Sequence, residues 1–203
     1  SELGRGALEL FFQELFDWGE IQTDPNFGNY RLRIAGEPGS DYEHDQIVLL
    51  DFGAVQAYTD DFLAPVIQMI RASYEQNVDS VIDGGVKLHF MKREWPDEVL
   101  DKFARVCMSV LEPLAPADYN WPEYAINADG QYRWKESDLP SRVARDAARS
   151  AISRYFQVPP KEFVFLNRKL IGVYTFIAVL RAEFNGELLL RKYLYGDGGR
   201  SSS

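Results

Sequence analysis

The sequence predicts an α+β fold that is mostly helical. Three observations support this: an amphipathic segment near the start, two short strand-like runs after it, and helical periodicity from Asp60 almost to the end. With 203 residues, 46% of them apolar, the chain can bury one sizeable core or two small ones. We therefore expect one helix, then a small β-hairpin, then a helical bundle.

The first helix is predicted over residues 8–18. Its apolar residues recur at the i, i+3, i+4, i+7 and i+8 positions of one face, so the helix should pack against the core. These residues are Leu8, Phe11, Phe12, Leu15 and Phe16.

The two strands are predicted at residues 30–34, where apolar and basic residues alternate, and at residues 46–50, which are rich in branched side chains. A polar stretch with Gly36, Pro38 and Gly39 separates them, which is typical of a hairpin with a long connection.

Five helices are predicted after the hairpin. Thr59 and two aspartates begin the first, Gly84 and Gly85 weaken the second, and Pro96 opens the third, which ends before Pro113. The fifth is apolar nearly all round and is expected to be central. The ranges are 60 onward, 79–90, 96–112, 140–156 and 161–184, with mostly loop at 113–138.

Composition excludes several functions. The net charge of -9 argues against a nucleic-acid partner. A single cysteine, Cys107, and two distant histidines argue against an internal disulfide and a structural zinc site. The longest apolar run, residues 170–180, is too short to span a bilayer. The chain opens without a signal peptide, which favours an excised part of a longer protein, with residues 1–195 as one domain and 196–203 as a flexible tail.

The residues that point to chemistry lie in two neighbouring segments. Residues 22–29 read Gln-Thr-Asp-Pro-Asn-Phe-Gly-Asn, and residues 49–53 read Leu-Leu-Asp-Phe-Gly. Asp24 and Asn29 could not share a helical face at five residues' separation, and Pro25 and Gly28 favour a loop instead. Asp51 follows a strand and precedes a glycine, so its carboxylate can face a cleft.

Two carboxylates and a carboxamide are hard oxygen donors, which suit Mg²⁺ held together with nucleotide phosphates. An Asp followed five residues later by an Asn, and then an Asp-Phe-Gly, is the order found in kinase-type phosphoryl transfer. Each motif alone is weakly specific, whereas the two in this order, each beside a predicted strand, are strong. A turn or capping role for Asp24, Asn29 and Asp51 is the structural alternative.

At these motifs the chain resembles the C-terminal lobe of the UbiB (AarF/ADCK) family of atypical kinases. Weaker similarity continues through residues 68–72 and 158–160 to Arg168 and Lys169. The resemblance implies a protein-kinase-like C-terminal lobe whose small β-hairpin carries the metal site. By position it implies that Asp24 is the catalytic-loop aspartate and that Asn29 and Asp51 bind Mg²⁺ and the ATP or ADP phosphates.

The resemblance also implies an ATPase or small-molecule kinase that supports isoprenoid quinone (ubiquinone) biosynthesis. Its further candidate partners are a lipid or quinone precursor and a membrane surface, on the cytoplasmic or organelle-matrix side. Residues 1–136 carry 11 basic and 25 acidic side chains and the remainder 11 and 6, which is compatible with a membrane-facing basic half. Arg142, Arg145 and Arg149 share one helix face there, either as an anionic-lipid patch or as a solvated face.

Two features of the sequence limit the activity that we expect of this chain. About six residues separate Gly53 from the helix near Asp60, which leaves no room for an activation loop and disfavours protein substrates. The phosphate loop, the strand lysine with its helix glutamate, and the family's Lys-x-Gly-Gln signature would all lie upstream of this chain. Without that missing N-terminal lobe, we expect the isolated chain to hydrolyse little ATP.

Two alternatives remain. An aminoglycoside- or choline-kinase-like phosphotransferase shares the Asp-x-x-x-x-Asn pattern but usually lacks Asp-Phe-Gly followed directly by a helix. A pseudokinase lobe that binds lipid or a partner is the other, and the presence of Asp24, Asn29 and Asp51 argues against it.

Overall fold

Helices make up most of the chain, with two small sheets near its start. The computed structural model describes residues 2–23, 27–36, 43–50, 55–116, 121–151, 155 and 157–196. The predicted mostly helical α+β class is confirmed.

The first helix is longer than predicted. Helix α1 spans Glu2–Phe12 and continues as a π-helical segment, Gln13–Trp18, so the helical conformation begins six residues before Leu8. Its predicted core face is confirmed, because Leu8, Phe11, Phe12 and Leu15 are buried. Gly19 ends it in the left-handed region (φ 64°), where a residue with a Cβ would be strained.

Four short strands form two antiparallel pairs. The predicted hairpin is confirmed as β2 paired with β3, in which Tyr30 lies opposite Leu49. A second pair, β1 with β4, was not predicted, and in it Gln22 lies opposite Val55. The strands are β1 Glu20–Gln22, β2 Tyr30–Arg33, β3 Gln46–Leu49 and β4 Val55–Ala57.

Six further helices follow, five of them at the predicted places. The sixth, α7, lies near the end of the described chain and was not predicted. Between α4 and α5 the described residues, 110–116 and 121–138, contain two short 3-10 turns and otherwise lack helix, as expected. The helices are α2 Asp60–Tyr74, α3 Val78–Lys87, α4 Asp97–Ser109, α5 Leu139–Ala151, α6 Lys161–Val179 and α7 Glu187–Tyr195.

The glycine pair in α3 allows close packing against its neighbours. A Cβ at Gly84 would overlap Cγ of Met69 in α2 and come within 3.1 Å of the Pro65 carbonyl oxygen. A Cβ at Gly85 would lie 2.9 Å from Met91. The low helix propensity of glycine is therefore offset by the contact that its missing side chain permits.

Helix α6 crosses the core but is not buried all round. Leu166, Leu170, Val173 and Ile177 face the interior, whereas Val179 is 72% exposed. The helix ends five residues earlier than predicted, and Glu183 instead forms a β-bridge with Arg133. Within the described residues no helix is both long and apolar enough to cross a membrane. Of the predicted tail, residues 196–203, all but Gly196 lie outside the described residues.

Candidate functional site

Asn29 is the one predicted site residue that the structure describes. It ends a 3-10 turn, Phe27–Asn29, immediately before β2. Its carbonyl oxygen accepts a hydrogen bond of 2.8 Å from the backbone N–H of Leu50, the residue that precedes Asp51. The backbone of Asn29 therefore lies against the start of the Asp-Phe-Gly segment.

Asp24 and Asp51 lie outside the described residues, in segments 24–26 and 51–54. The meeting of their carboxylates with Asn29 therefore stays a prediction. The residues that flank the two segments are described, and they are paired with one another. Gln22 lies opposite Val55 in one sheet, and Asn29 is hydrogen-bonded to Leu50 beside the other. The residues at the two ends of the first motif segment therefore lie beside residues at the two ends of the second.

A buried ion pair lies beside these flanking residues, and the sequence analysis missed it. The ammonium Nζ of Lys169 in α6 lies 3.0 Å from Oε2 and 3.2 Å from Oε1 of Glu14 in the π-helical segment. Both side chains are 4% exposed. Burial raises the pKa of the Glu14 carboxyl, and the nearby Lys169 charge offsets part of that rise.

The ion pair contacts both ends of the predicted catalytic loop. Oε1 of Glu14 accepts a hydrogen bond of 3.4 Å from the backbone N–H of Gln22. Nζ of Lys169 donates one of 3.2 Å to the hydroxyl oxygen of Tyr30. Since residues 23–29 lie between Gln22 and Tyr30, one buried pair holds the loop's entry and exit.

The sequence did contain a signal for this pair. Leu166, Lys169, Leu170 and Val173 follow the spacing of one helical face, so Lys169 interrupts a core-facing stripe. A charged residue at such a position needs a buried partner, because an unpaired buried charge is very costly.

Arg142 does not belong to a surface patch. Its Nη1 donates to Oε2 of Glu112 at 2.9 Å, its Nε donates to the Ser137 carbonyl oxygen at 2.9 Å, and Tyr132 donates to the same Glu112 carboxylate at 2.7 Å. The proposed row of three arginines therefore reduces to the exposed Arg145 and Arg149.

Comparison with known proteins finds a family model that matches the part of the chain that contains the motifs. Residues 1–84 match the ABC1 atypical kinase-like domain. This range includes all four strands, Asn29 and both motif segments. Over residues 1–84 the chain is therefore similar to the UbiB (ABC1/ADCK) family of atypical kinases.

Similarity to individual UbiB-family proteins extends over most of the chain. It is 24% identical over 191 residues to "Probable serine/threonine-protein kinase abkA" of Dictyostelium discoideum, covering 94% of this chain and 31% of that protein. It is 28% identical to "Atypical kinase coq-8, mitochondrial" of Caenorhabditis elegans, covering 95% of this chain and 24% of that protein. It is 26% identical to "Atypical kinase COQ8B, mitochondrial" of Rattus norvegicus, covering 87% and 29%. The chain thus spans about a quarter to a third of the length of these relatives.

Proposed function

We propose that this chain is the C-terminal lobe of a UbiB-type atypical kinase or ATPase, and that the parent protein binds ATP or ADP together with Mg²⁺. The observation that carries the proposal is the backbone pairing of the two motif segments, in which Asn29 is bonded to Leu50 and Gln22 lies opposite Val55. This pairing favours convergence of the motif side chains on one ligand.

Asp24, Asn29 and Asp51 have distinct roles in the proposed reaction. Asn29 and Asp51 would hold Mg²⁺, because amide and carboxylate oxygens are the ligands that this ion prefers. Bound Mg²⁺ supplies charge neutralisation for the phosphates. The Asp24 carboxylate orients the attacking hydroxyl or water and accepts its proton, which places the nucleophile in line with the γ-phosphate.

A small acceptor is favoured over a protein. Only Tyr58 and Thr59 separate β4 from α2, so nothing the length of an activation loop follows β4. The relative named a probable serine/threonine-protein kinase suggests the opposite, and the acceptor assay below separates the two possibilities.

The two COQ8-type relatives support a role in isoprenoid quinone biosynthesis for the parent protein, with a lipid or quinone precursor as the substrate class. Both are named mitochondrial, so we propose an organelle-matrix location, or a cytoplasmic one, at a membrane surface.

The proposal is tested on the intact parent protein with Mg²⁺-ADP binding and ATP hydrolysis. Asp51→Ala should abolish the Mg²⁺-dependent thermal shift that ADP causes, and Asp24→Asn should leave ADP binding intact while lowering hydrolysis at least a hundredfold. Asp129→Ala, an exposed loop aspartate, is the matched control and should behave as the wild type.

Unchanged Mg²⁺-ADP binding in Asp51→Ala would refute the proposed nucleotide and Mg²⁺ site. Absence of ADP binding by the wild type, with lipid still bound, would favour the pseudokinase alternative. Transfer of phosphate to a protein but to no small hydroxyl compound would refute the small-acceptor assignment. In the isolated 203-residue chain we expect little hydrolysis, since its relatives are three to four times longer.

A further inference from the structure

A cavity of about 270 Å³ lies within the helical half of the chain. Helices α1, α2, α4, α5 and α6 and the π-helical segment supply its walls. The lining is almost entirely apolar and includes Phe12, Met69, Phe103, Leu111 and Leu166. None of its lining residues belongs to the strands or to the residues that flank the two motif segments.

The cavity is partly open to solvent, so a ligand can enter it while the chain stays folded. Water fills a cavity only where it finds two to four polar partners, whereas large apolar cavities stay dry and take up apolar ligands. The walls of this cavity therefore favour a hydrocarbon occupant.

Three polar residues line the cavity: Ser73, which is buried on α2, and Asn167 and Gln157. Asn167 is exposed and Gln157 is partly exposed, and both lie near the first turns of α6. A ligand with an apolar chain and a polar end could place the chain inward and the polar end among these amides. An extended polypeptide fits less well, because the apolar walls would leave its backbone amides unpaired.

The volume sets the length of chain that fits. A cavity of about 150 Å³ accommodates benzene, with six carbon atoms. In the same proportion, about 270 Å³ accommodates about ten to eleven carbon atoms. We propose that this cavity binds the hydrocarbon chain of an amphiphile, with about ten carbon atoms buried and the polar group beside Asn167 and Gln157.

Cys107 provides a reporter inside the cavity. It lines the wall, and it is the only cysteine in the chain. Burial raises the pKa of its thiol to about 12, so alkylation is slow and depends on access. An occupant of the cavity should slow that reaction further.

The test uses the intact protein, stripped of lipid, and straight-chain alcohols of six to fourteen carbons as probes. Calorimetry should give an affinity that rises about fourfold for each added methylene and levels off near ten carbons. Saturating decanol should slow N-ethylmaleimide labelling of Cys107, located by mass spectrometry, at least tenfold.

Two variants locate the site. Cys107→Phe places a ring in the cavity and should weaken decanol binding at least tenfold. Ala64→Phe adds the same ring on an exposed position of α2 and should change nothing. Should Cys107→Phe fail to fold, the labelling experiment on the wild type still decides the question.

Three results would each overturn the proposal: no binding, an affinity that keeps rising past ten carbons, or decanol binding that leaves Cys107 labelling unchanged. Mg²⁺-ADP binding measured on the same samples is independent, so failure here leaves the nucleotide proposal standing.

Discussion

Replacing Lys169 with methionine should strongly destabilise the protein. The substitution keeps a side chain of similar length but leaves the Glu14 carboxylate, 4% exposed, without its cationic partner. Removing one member of a buried pair typically costs about 3–5 kcal/mol, a large share of the roughly 5–15 kcal/mol of a whole domain. Urea denaturation with linear extrapolation measures the loss.

An exposed pair supplies the control. Lys192 in α7 lies 3.4 Å from Oε1 of Glu9, with side chains 48% and 37% exposed. Lys192→Met breaks that ion pair in solvent and should cost no more than about 1 kcal/mol. A loss below about 1 kcal/mol for Lys169→Met, or equal losses for both variants, would refute the reasoning.

The loss should also depend on pH. In Lys169→Met the charge and hydrogen bond that lower the Glu14 pKa are gone, while burial still raises it. The folded-state pKa then lies above the unfolded value of about 4.5, so the folded state binds more protons. Stability should therefore fall as the pH rises from that value through the folded pKa. The variant should lose least at pH 4.5 and most at pH 8, and the reverse order would contradict this account.

Other substitutions test the packing of the helices. Gly84→Ala should destabilise by about 1–3 kcal/mol, because its Cβ would meet a side chain of α2. Gly6→Ala on α1 should stabilise by about 0.5–1 kcal/mol, because its Cβ would meet only Cδ1 of Ile47, at an unstrained 3.9 Å. Thermal denaturation distinguishes them, and the same sign for both would contradict the packing. Arg142→Met should lower the free energy of unfolding by about 2 kcal/mol, because the Glu112 carboxylate loses a hydrogen-bond partner. Arg145→Met, at an exposed position, should cost little stability in the same urea assay. Similar losses for both variants would restore the surface-patch interpretation.

Local patterns predicted the elements whose signal lies within a few residues. The apolar spacing in residues 8–18, the alternation at residues 30–34 and the start of α2 at Asp60 each lead to the observed element. The β1–β4 pair was missed because a three-residue strand has too few positions to show a period, and its partner lies more than thirty residues away. Helix α7 was missed because nine residues, about two and a half turns, give a helical period too few repeats to stand out.

The sequence predicted the motif residues of the candidate site but not the ion pair beside them. The order of Asp24, Asn29 and Asp51 pointed to the family, and the comparison confirmed it. The contact of Lys169 with Glu14 spans 155 residues, and a period within one helix cannot specify such a partner. The pattern could predict only that Lys169 needs a buried, negatively charged partner, because it lies in a core-facing stripe.

The buried ion pair of Glu14 and Lys169 beside this loop needs an explanation other than stability. Replacing such a pair by apolar side chains is often neutral or stabilising, so stability alone does not account for it. Glu14→Leu with Lys169→Met removes both charges and should recover most of the stability that Lys169→Met loses. The Gln22 N–H and the Tyr30 hydroxyl still lose their charged partners. If the pair positions the loop, the double variant in the intact protein should fold as stably as the wild type yet turn over ATP more slowly, with Mg²⁺-ADP binding less affected. Normal turnover in a stable double variant would reduce the pair to a packing feature.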